Sequence, residues 1–572
     1  MYGRANFAYR APFTFSKFDN VPWNWRAALS YVTGSHSAKL GYQGAYFMYD
    51  RHTFVNETQM RYFFTNGLPT GVNYYVAPFL DLSDRTETHA VYLQDQWTRG
   101  RMTLQGAIRY DYARSWAPGD KQGSRATSRF NPEPLAFEDT VSVRGYHEIN
   151  PRVGFSYDVF GNGRTALKIN TGRYLAAATT DGIYSANNPA LKLVTQISGA
   201  GGRGWTDSNN NYQVDCDLRN PNAQDLRATG GDVCANLTGN NRNWGLLDPN
   251  LTQIDSEILG GWGVRPYNWQ FGASVQHELV PRVSVDVGYN RRWWGNFFAT
   301  VNQLVSEADY QVYSVPVPNH PRMPGAGSAA SFVSILPEAA ARGARNFQTK
   351  EANFAPERTA YWHGVDYSAT ARLAGGVRLQ GGGSTGRGVR DTCDLWRARP
   401  ELQGSNRADA CDVTEPWMTS VRGLASYTVP KVDVLASATL RSVRVTASGN
   451  VASSGSGLSA NYQIPNTVMR DQFLGRLPAG GLATGTTTIN ILTPDALYPP
   501  DRRTQLDMRF AKIFRVGRSR YDIGVDLYNI LNSNATTGYE DTYQYTTNGA
   551  TWLMPESIMA PRIGRFNVTV TF

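Results

Sequence analysis

The chain has 572 residues, of which 41% are hydrophobic, a mean hydropathy of −0.42 and a formal net charge of +9. No apolar run approaches the ~18 residues that a transmembrane helix needs, which excludes a helical membrane protein. The basic residues are dispersed instead of gathered on one face, so we expect no nucleic-acid partner. We expect the arginines to line a wet interior and its loops, with anionic headgroups or sugars as the alternative partners.

A strand is predicted at 101–112, where apolar and polar side chains alternate strictly. Leu104 and Ile108 fall on one face, whereas Arg109 and Asp111 fall on the other. The same two-residue period recurs in three further segments: 283–290, 521–528 and 565–572. Charged side chains in the middle of a strand would be costly in a dry core but cost little beside water. The pattern therefore favours a membrane β-barrel over a soluble sandwich.

Tight turns and long polar segments alternate along the chain. The predicted turns are 98–101, 161–164, 280–282, 374–376, 429–431 and 516–518. The long segments, expected to be irregular external loops, are 113–147, 176–264, 295–361 and 388–417. This alternation puts the turns at one rim and the loops at the other, as outer-membrane barrels do. The predicted fold is all-β, a transmembrane antiparallel barrel over 1–572 with about eighteen strands, two or more of them weak ones within 442–499.

Several segments resemble the paired strands of TonB-dependent outer-membrane receptors. They are ETHAVYLQDQW, MTLQGAIRYD, INPRVGFSYDVFGNGRTALKINTGRY, NWQFGASVQHELVPRVSVDVGYNRR and MRFAKIFRVGRSRYDIGVDLYNILNSN. The resemblance is closest to the Oar-like branch, which carries a carboxypeptidase-regulatory-like domain ahead of plug and barrel. It implies a full barrel of 18–22 strands in the bacterial outer membrane, in contact with lipid and lipopolysaccharide. It also implies a plug domain, the TonB system, and a ligand of unknown identity that external loops capture for uptake into the periplasm.

The first residues, MYGRANFAYR, contain no apolar signal-peptide core. No plug or TonB-contacting segment is visible either, so we expect the chain to be the C-terminal portion of a receptor, with a trimmed sequence as the alternative. A non-transporting adhesin or scaffold that displays its loops is the rival function, and a passive porin is disfavoured by size. We expect no enzymatic activity, because Gly382-Gly-Ser384-Thr-Gly386 matches GxSxG within a Gly-rich strand and not on a strand-to-helix elbow.

The last strand carries Phe566, Val568, Val570 and Phe572 at alternate positions. This ending resembles the C-terminal signal that the outer-membrane assembly machinery reads, and it also fits a plain amphipathic strand. Near other strand ends, four tryptophans are interpreted as an interface girdle, with sugar stacking as the alternative: Trp262, Trp269, Trp293 and Trp294.

Four cysteines form two pairs with the same spacing, each within one long loop. Cys216 and Cys234 are separated by 18 positions, as are Cys393 and Cys411. An even number, local spacing and an oxidising exterior predict two disulfides, whereas the zinc alternative lacks CxxC spacing.

A stretch before the first cysteine has oxygen-bearing side chains at alternate positions, as at the start of a calcium loop. The candidate ligands are Asp207, Asn209, Asn211 and Asp215. The sixth position is Tyr212 instead of Gly and the twelfth is Leu218 instead of Glu, so a polar turn-rich loop is the alternative. No other cofactor is expected.

Overall fold

The computed structural model describes residues 12–197, 202–444, 457–499 and 502–572. One 18-stranded sheet dominates it, with fifteen long strands and three short segments. The long strands, here β1 to β15 in chain order, are Thr14–Thr33, His36–Val55, Phe79–Arg99, Met102–Ala117, Gly145–Asp158, Thr165–Leu175, Tyr267–Val280, Val283–Gly295, Thr359–Arg372, Arg378–Asp391, Met418–Val429, Val434–Arg444, Arg502–Val516, Ser519–Tyr528 and Ile563–Thr571. The short segments are Thr140–Val141, Gly260–Trp262 and Asp412–Thr414.

Each long strand pairs antiparallel with the next one, so the sheet is an up-and-down meander. Turns of a few residues join β1 to β2, β3 to β4 and each later pair, which confirms the predicted turns. Gly100 and Gly517 in two of them have φ of +58° and +59°, a left-handed conformation that favours glycine. Long loops make all the other connections, as the alternation predicted.

The outer face of the sheet is apolar and its inner face is polar. Leu29, Leu40, Leu93 and Ile108 lie opposite one another across β1 to β4, and each is at least half exposed. The next residue on β4 is Arg109, which points to the inner face. The exposed apolar side chains of the outer face form a belt that requires lipid. The polar side chains of the inner face require water.

The sheet has two free edges. Neither the outer edge of β1 nor that of β15 pairs with another strand in the part of the chain that the structure describes. The fifteen long strands alternate in direction, so β1 and β15 run the same way. Their side chains are almost all exposed.

The long loops are not irregular, contrary to expectation. They fold into two lobes, each with its own apolar core, and one small sheet joins the lobes because Gln253–Ile254 pairs with Asn346–Lys350. The first lobe comprises the loops 56–78, 118–144, 176–197 and 202–266, and the second comprises 296–358, 392–417, 457–499 and 529–562. The small strands are Met60–Thr65, Leu68–Tyr74, Arg203–Thr206, Gln224–Asp225, Val233–Cys234, Gln253–Ile254, Phe298–Asn302, Tyr310–Pro316, Ala329–Ile335, Asn346–Lys350, Asn461–Pro465, Thr486–Asn490, Thr536–Tyr539, Thr542–Gln544 and Pro555–Ile558.

Helices are confined to the connections. The α-helices are Pro337–Ala340, Cys393–Ala398 and Asn466–Val468, the last continued by a π-helix at Met469–Leu474. The 3-10 helices are Gly119–Lys121, Gly182–Ser185, Pro189–Lys192, Arg227–Thr229, Gly239–Asn243, Ser256–Ile258, Glu307–Asp309, Glu351–Asn353, Ala374–Gly376, Pro400–Gln403 and Tyr545–Thr547. Within the described ranges, none of these helices has the length and apolar character needed to cross a bilayer.

The segment 442–499 corrects one prediction about the sheet. Its described strands, Asn461–Pro465 and Thr486–Asn490, pair with each other in the second lobe and not with the large sheet. Residues 445–456 of that segment lie outside the described residues. The sheet nevertheless reaches eighteen strands, because three short segments pair with the loop ends of long strands.

The first three long strands have 20, 20 and 21 residues, which exceeds the ~9–11 residues that a tilted strand needs to cross the hydrocarbon. The loop end of β3 explains the excess. Leu80, Leu82 and Thr86 are buried there beneath loops of the first lobe. The strand therefore continues past the lipid belt and serves as the base on which the lobe packs.

Candidate functional site

The candidate site is a cavity of about 800 Å³ that spans β6 to β12, and we call it the wall cavity. Its volume lies in the range of small-molecule sites. The inner-face side chains that line it include Asn170, Asn290, Arg292, Trp362, Asp366 and Arg422. Successive strands contribute these residues because every second position of each strand faces inward.

A row of glycines forms the floor of the wall cavity. Asn170, Gly272, Asn290, Gly364 and Gly386 lie opposite one another on five adjacent strands. A Cβ atom on Gly272 would lie 3.0 Å from the amides of both asparagines. Because three of the five positions have no side chain, the cavity is deeper there. The amides of Asn170 and Asn290 approach each other above Gly272.

Trp362 occupies the space that two of these glycines leave open. A Cβ atom on either Gly364 or Gly386 would overlap its indole, so the ring packs directly on the backbone of β9 and β10. The indole is half-buried and lines the cavity. The floor thus carries an aromatic surface whose position is fixed by the strands beneath it.

Trp294 differs from the other tryptophans of the predicted girdle. It directly follows Trp293 on β8, and it lines the wall cavity, whereas the ring of Trp293 stacks on Trp269 with the ring centres 6.3 Å apart. The Arg292 guanidinium lies 5.0 Å from the centre of the Trp294 ring. The girdle interpretation is therefore not adequate for Trp294, because neighbouring positions on a strand point to opposite faces.

Polar side chains of the cavity present donors and acceptors in fixed positions. The Asn290 Nδ2 donates to Asp366 Oδ2 at 2.6 Å. The Arg292 Nε donates to the buried Asn268 Oδ1 at 3.0 Å, and Gln270 Nε2 donates to the same oxygen. These bonds orient the amides while leaving further lone pairs and N–H groups toward the cavity.

The cavity carries excess positive charge, because five arginines but only two carboxylates, Asp366 and Glu415, line it. Arg292, Arg390 and Arg422 line it, and none of them forms an ion pair with a carboxylate in the ranges that the structure describes. Asp366 accepts from an amide and pairs with no cation there. A ligand that carries acidic groups would supply the missing partners.

A second polar cluster, across β4 to β6, contains two ion pairs. Arg109 donates to both carboxylate oxygens of Asp111 at 2.8 and 3.0 Å. Arg173 pairs at 2.8 Å with Glu148, whose side chain is fully buried. These pairs satisfy one another, so the cluster acts as bracing between strands and leaves less charge for a ligand.

Both predicted cysteine pairs are at disulfide distance. The Cα atoms of Cys216 and Cys234 are 6.4 Å apart in the first lobe, and those of Cys393 and Cys411 are 4.8 Å apart in the second. Cys216 and Cys234 lie in the apolar core of their lobe.

The residues of the predicted calcium loop lie together on the surface of the first lobe. Asp207 accepts from the backbone N–H groups of Asn211 and Tyr212, while Asn209 Nδ2 donates to Asp215 at 2.6 Å. Several of the oxygens thus already accept from amides. Across the described residues, no group of three or more His, Cys, Asp or Glu is arranged to hold a metal ion. The calcium site stays a prediction.

The residues of the predicted assembly signal share the outer face of β15. Phe566 and Val568 lie opposite outward residues of β14, and Phe566 and Phe572 are 88% and 95% exposed. Ser384 of the GxSxG match lies on the cavity floor and shares a hydrogen bond of 3.0 Å with Ser420.

The wall-cavity residues were not identified from the sequence. Asn170, Asn290 and Asp366 look like ordinary polar positions of separate strands, and only the register of β6 to β10 brings them together. One usable signal was present, because the glycine run at 381–388 interrupts a strand without ending it. Such a run marks close approach of another group to the backbone.

The chain is similar to solved structures of outer-membrane proteins at low sequence identity, and it spans about half the length of these proteins. The outer membrane transporter YddB from Escherichia coli is 12% identical with a TM-score of 0.48, over 97% of this chain and 54% of that one. The ferripyoverdine receptor of the Pseudomonas aeruginosa outer membrane is 10% identical with a TM-score of 0.43, over 97% and 48%. No curated protein sequence matches the chain. Residues 3–381 match the family described as Outer membrane beta barrel domain, and the chain therefore belongs to this family of the bacterial outer membrane.

Proposed function

We propose that the chain forms the barrel of a receptor that captures a ligand and passes it into the periplasm, driven by the TonB system. The observation that carries the proposal is the wall cavity, which lies on the wet face of an outer-membrane barrel. A non-transporting scaffold that only displays its loops has no need of a glycine-floored cavity with unpaired arginines. The membership in the Oar-like branch belongs to the same proposal and rests on the sequence resemblance.

The free edges of β1 and β15 support a role for further strands. Unpaired edges expose backbone N–H and C=O groups, which lipid cannot satisfy. Because β1 and β15 run in the same direction, a fully antiparallel barrel needs an odd number of strands between them. We assign these strands, together with a plug that fills the lumen, to a segment upstream on the same polypeptide.

Deletion strains test the proposed uptake. The source bacterium, a strain lacking this protein and a strain lacking TonB are grown in separate cultures. Each culture has one scarce sugar, iron chelate or peptide as its sole source of carbon, iron or nitrogen. We expect the two deletions to abolish growth on the same compound, and restoring the gene to recover it. Undiminished growth of the receptor deletion on every nutrient that requires TonB would contradict transport.

A second candidate function is display of the external lobes by a non-transporting adhesin or scaffold. The packed cores of both lobes favour it, because ordered loops present a fixed surface. In that case the deletion strain should lose attachment to surfaces or cells while its nutrient uptake is unchanged.

The alternating residues of β15 are proposed to be read by the outer-membrane assembly machinery. Deleting Phe572 should lower the amount of folded protein in the outer membrane, as heat-modifiable mobility on gels would report. A substitution of Thr571 to Ser, on the other face, is the control, and equal assembly of both variants would contradict the role.

A further inference from the structure

We propose that the wall cavity binds an acidic oligosaccharide, that is, sugar rings that carry carboxylates. This inference rests on the proposed function and names the ligand class of the same site. Three features of the cavity support it independently: an aromatic surface, a set of hydroxyl-binding groups and unpaired guanidinium groups.

The aromatic surface suits the flat face of a sugar ring. The Trp362 indole rests on Gly364 and Gly386, so the backbone holds one side of it and the ligand meets the other. An indole packed in this way loses little conformational entropy when a ring stacks on it. The C–H groups on one face of a pyranose pair favourably with such a π-system.

The hydroxyl-binding groups flank this surface. Asn290 and Asp366 are joined by a hydrogen bond of 2.6 Å, and Asn170 reaches toward Asn290 over Gly272. Amide groups both donate and accept, while a carboxylate accepts two or more bonds. Adjacent hydroxyls of a sugar also donate and accept together, so they match an Asn–Asp pair better than a purely cationic ligand would.

The guanidinium groups select acidic sugars over neutral ones. Arg422 and Arg390 make no hydrogen bond or ion pair with the described residues, and Arg292 bonds only to a neutral amide. Guanidinium and carboxylate groups form bidentate pairs with geometric specificity. The three arginines lie on β8, β10 and β11, so they surround the Trp362 surface instead of clustering at one point.

Two competing ligands fit the cavity less well. A small polycarboxylate such as citrate would satisfy the arginines but leave the aromatic surface uncovered. A neutral oligosaccharide would stack but leave three cationic side chains without partners. The proposal therefore requires both ring and charge in one ligand.

Calorimetric titration of the purified protein in detergent micelles tests this prediction with three probes. Trigalacturonate carries rings and carboxylates, maltotriose carries rings alone, and citrate carries carboxylates alone. We expect trigalacturonate to bind at least tenfold more tightly than either of the others. Equal binding of maltotriose or of citrate would overturn the corresponding half of the proposal.

Two substitutions assign the binding to the wall cavity. Trp362→Ala should weaken trigalacturonate binding at least tenfold, and Trp362→Phe should recover part of it. Arg422→Gln should weaken trigalacturonate about tenfold while leaving the weak binding of maltotriose unchanged. A circular-dichroism spectrum and thermal unfolding curve like those of the original protein will show that each variant folds.

Matched controls lie outside the cavity. Trp293→Ala removes an outward-facing tryptophan from the same region, and Arg518→Gln removes an arginine from a short turn. Both should bind trigalacturonate as the original protein does. Undiminished binding to Trp362→Ala and Arg422→Gln would overturn the inference.

The test separates this inference from the proposed function. Binding of trigalacturonate without growth defects in the deletion strains would leave the ligand class intact and remove transport. TonB-dependent uptake of another nutrient, with no binding of trigalacturonate, would keep transport and remove the ligand class.

Discussion

The large sheet and the loop lobes solve opposite packing problems with one chain. In the sheet, Leu93 and Ile108 face outward and Arg109 faces inward. In the second lobe, Phe332 and Tyr543 are buried in an apolar core and polar side chains face solvent. The sheet therefore depends on lipid for its apolar face, whereas each lobe supplies its own apolar interior, as a soluble domain does.

The stability of the two regions therefore depends on different interactions. Core packing should govern a lobe, and contact with hydrocarbon should govern the sheet. Substitutions placed in one region at a time test whether the two regions are stabilised separately.

The largest effect is expected from Phe332→Ala in the second lobe. Phe332 is 2% exposed and its ring centre lies 5.8 Å from that of Tyr313, so truncation leaves a cavity. We expect the local unfolding free energy of the lobe to fall by about 3–5 kcal/mol. Hydrogen exchange of peptides from both regions measures this change, and exchange in the sheet should not change.

Val312→Ala is the control for that experiment. Val312 lies on the same hairpin but is 66% exposed, so its truncation should change exchange in the lobe very little. Faster exchange in the sheet of the Phe332→Ala variant would mean that lobe and sheet unfold together.

A charge placed on the lipid belt should destabilise the sheet. Leu93→Arg is expected to cost about 2–4 kcal/mol, because the guanidinium would lie in hydrocarbon. Gln94→Arg, one residue later on the wet face, is the matched control and should cost less than about 1 kcal/mol. Urea unfolding in lipid vesicles, followed by tryptophan fluorescence, measures both, and equal losses would contradict the assignment of the two faces.

Removing one disulfide should loosen only the lobe that contains it. Replacing Cys216 and Cys234 by Ser is expected to lower the local stability of the first lobe by about 2 kcal/mol, the lower end of the usual range, since the lobe core also restrains this segment. Replacing Cys393 and Cys411 is the reciprocal experiment for the second lobe. Limited proteolysis of both variants tests it, and cleavage in the unmodified lobe would contradict separate cores.

The smallest effect is expected from alkaline pH. Burial raises the pKa of Tyr313 to about 12, against the opposing charge of Arg476. A phenol whose pKa is raised by folding stabilises the fold fully below its unfolded value near 10, and that contribution is lost as the pH rises toward 12.

The second lobe should therefore stay closed at pH 10 and loosen as the pH approaches 12. Absorbance at 295 nm reports the ionisation of the tyrosines, and hydrogen exchange reports the opening. In Tyr313→Phe the loosening should shift to higher pH. Complete ionisation of all the tyrosines by pH 10.5 would show that Tyr313 is not buried.

The faces of the strands could be predicted because a two-residue period is a local property of sequence. The alternation around Arg109 and Asp111 needed no information from distant residues, and the glycine turns were visible for the same reason. The two cysteine pairs were predictable because each is close in sequence. The family resemblance also indicated the outer-membrane barrel.

The lobes and the wall cavity depend on contacts between distant residues. Tyr313 and Tyr543 share a core although they belong to different loops, and polar composition alone made both loops look irregular. The cavity depends on the register of seven adjacent strands, which places Asn170 and Asn290 on either side of Gly272. A glycine such as Gly386 signals a gap in a strand, but not which side chain fills it.

The position of the two disulfides has a consequence for biogenesis. Each bond joins residues 18 positions apart inside a single connection. Neither bond ties one barrel strand to another, so oxidation in the periplasm can precede insertion without fixing any strand pairing. The chain can thus reach the membrane with two pre-closed external segments and still thread its hairpins one after another.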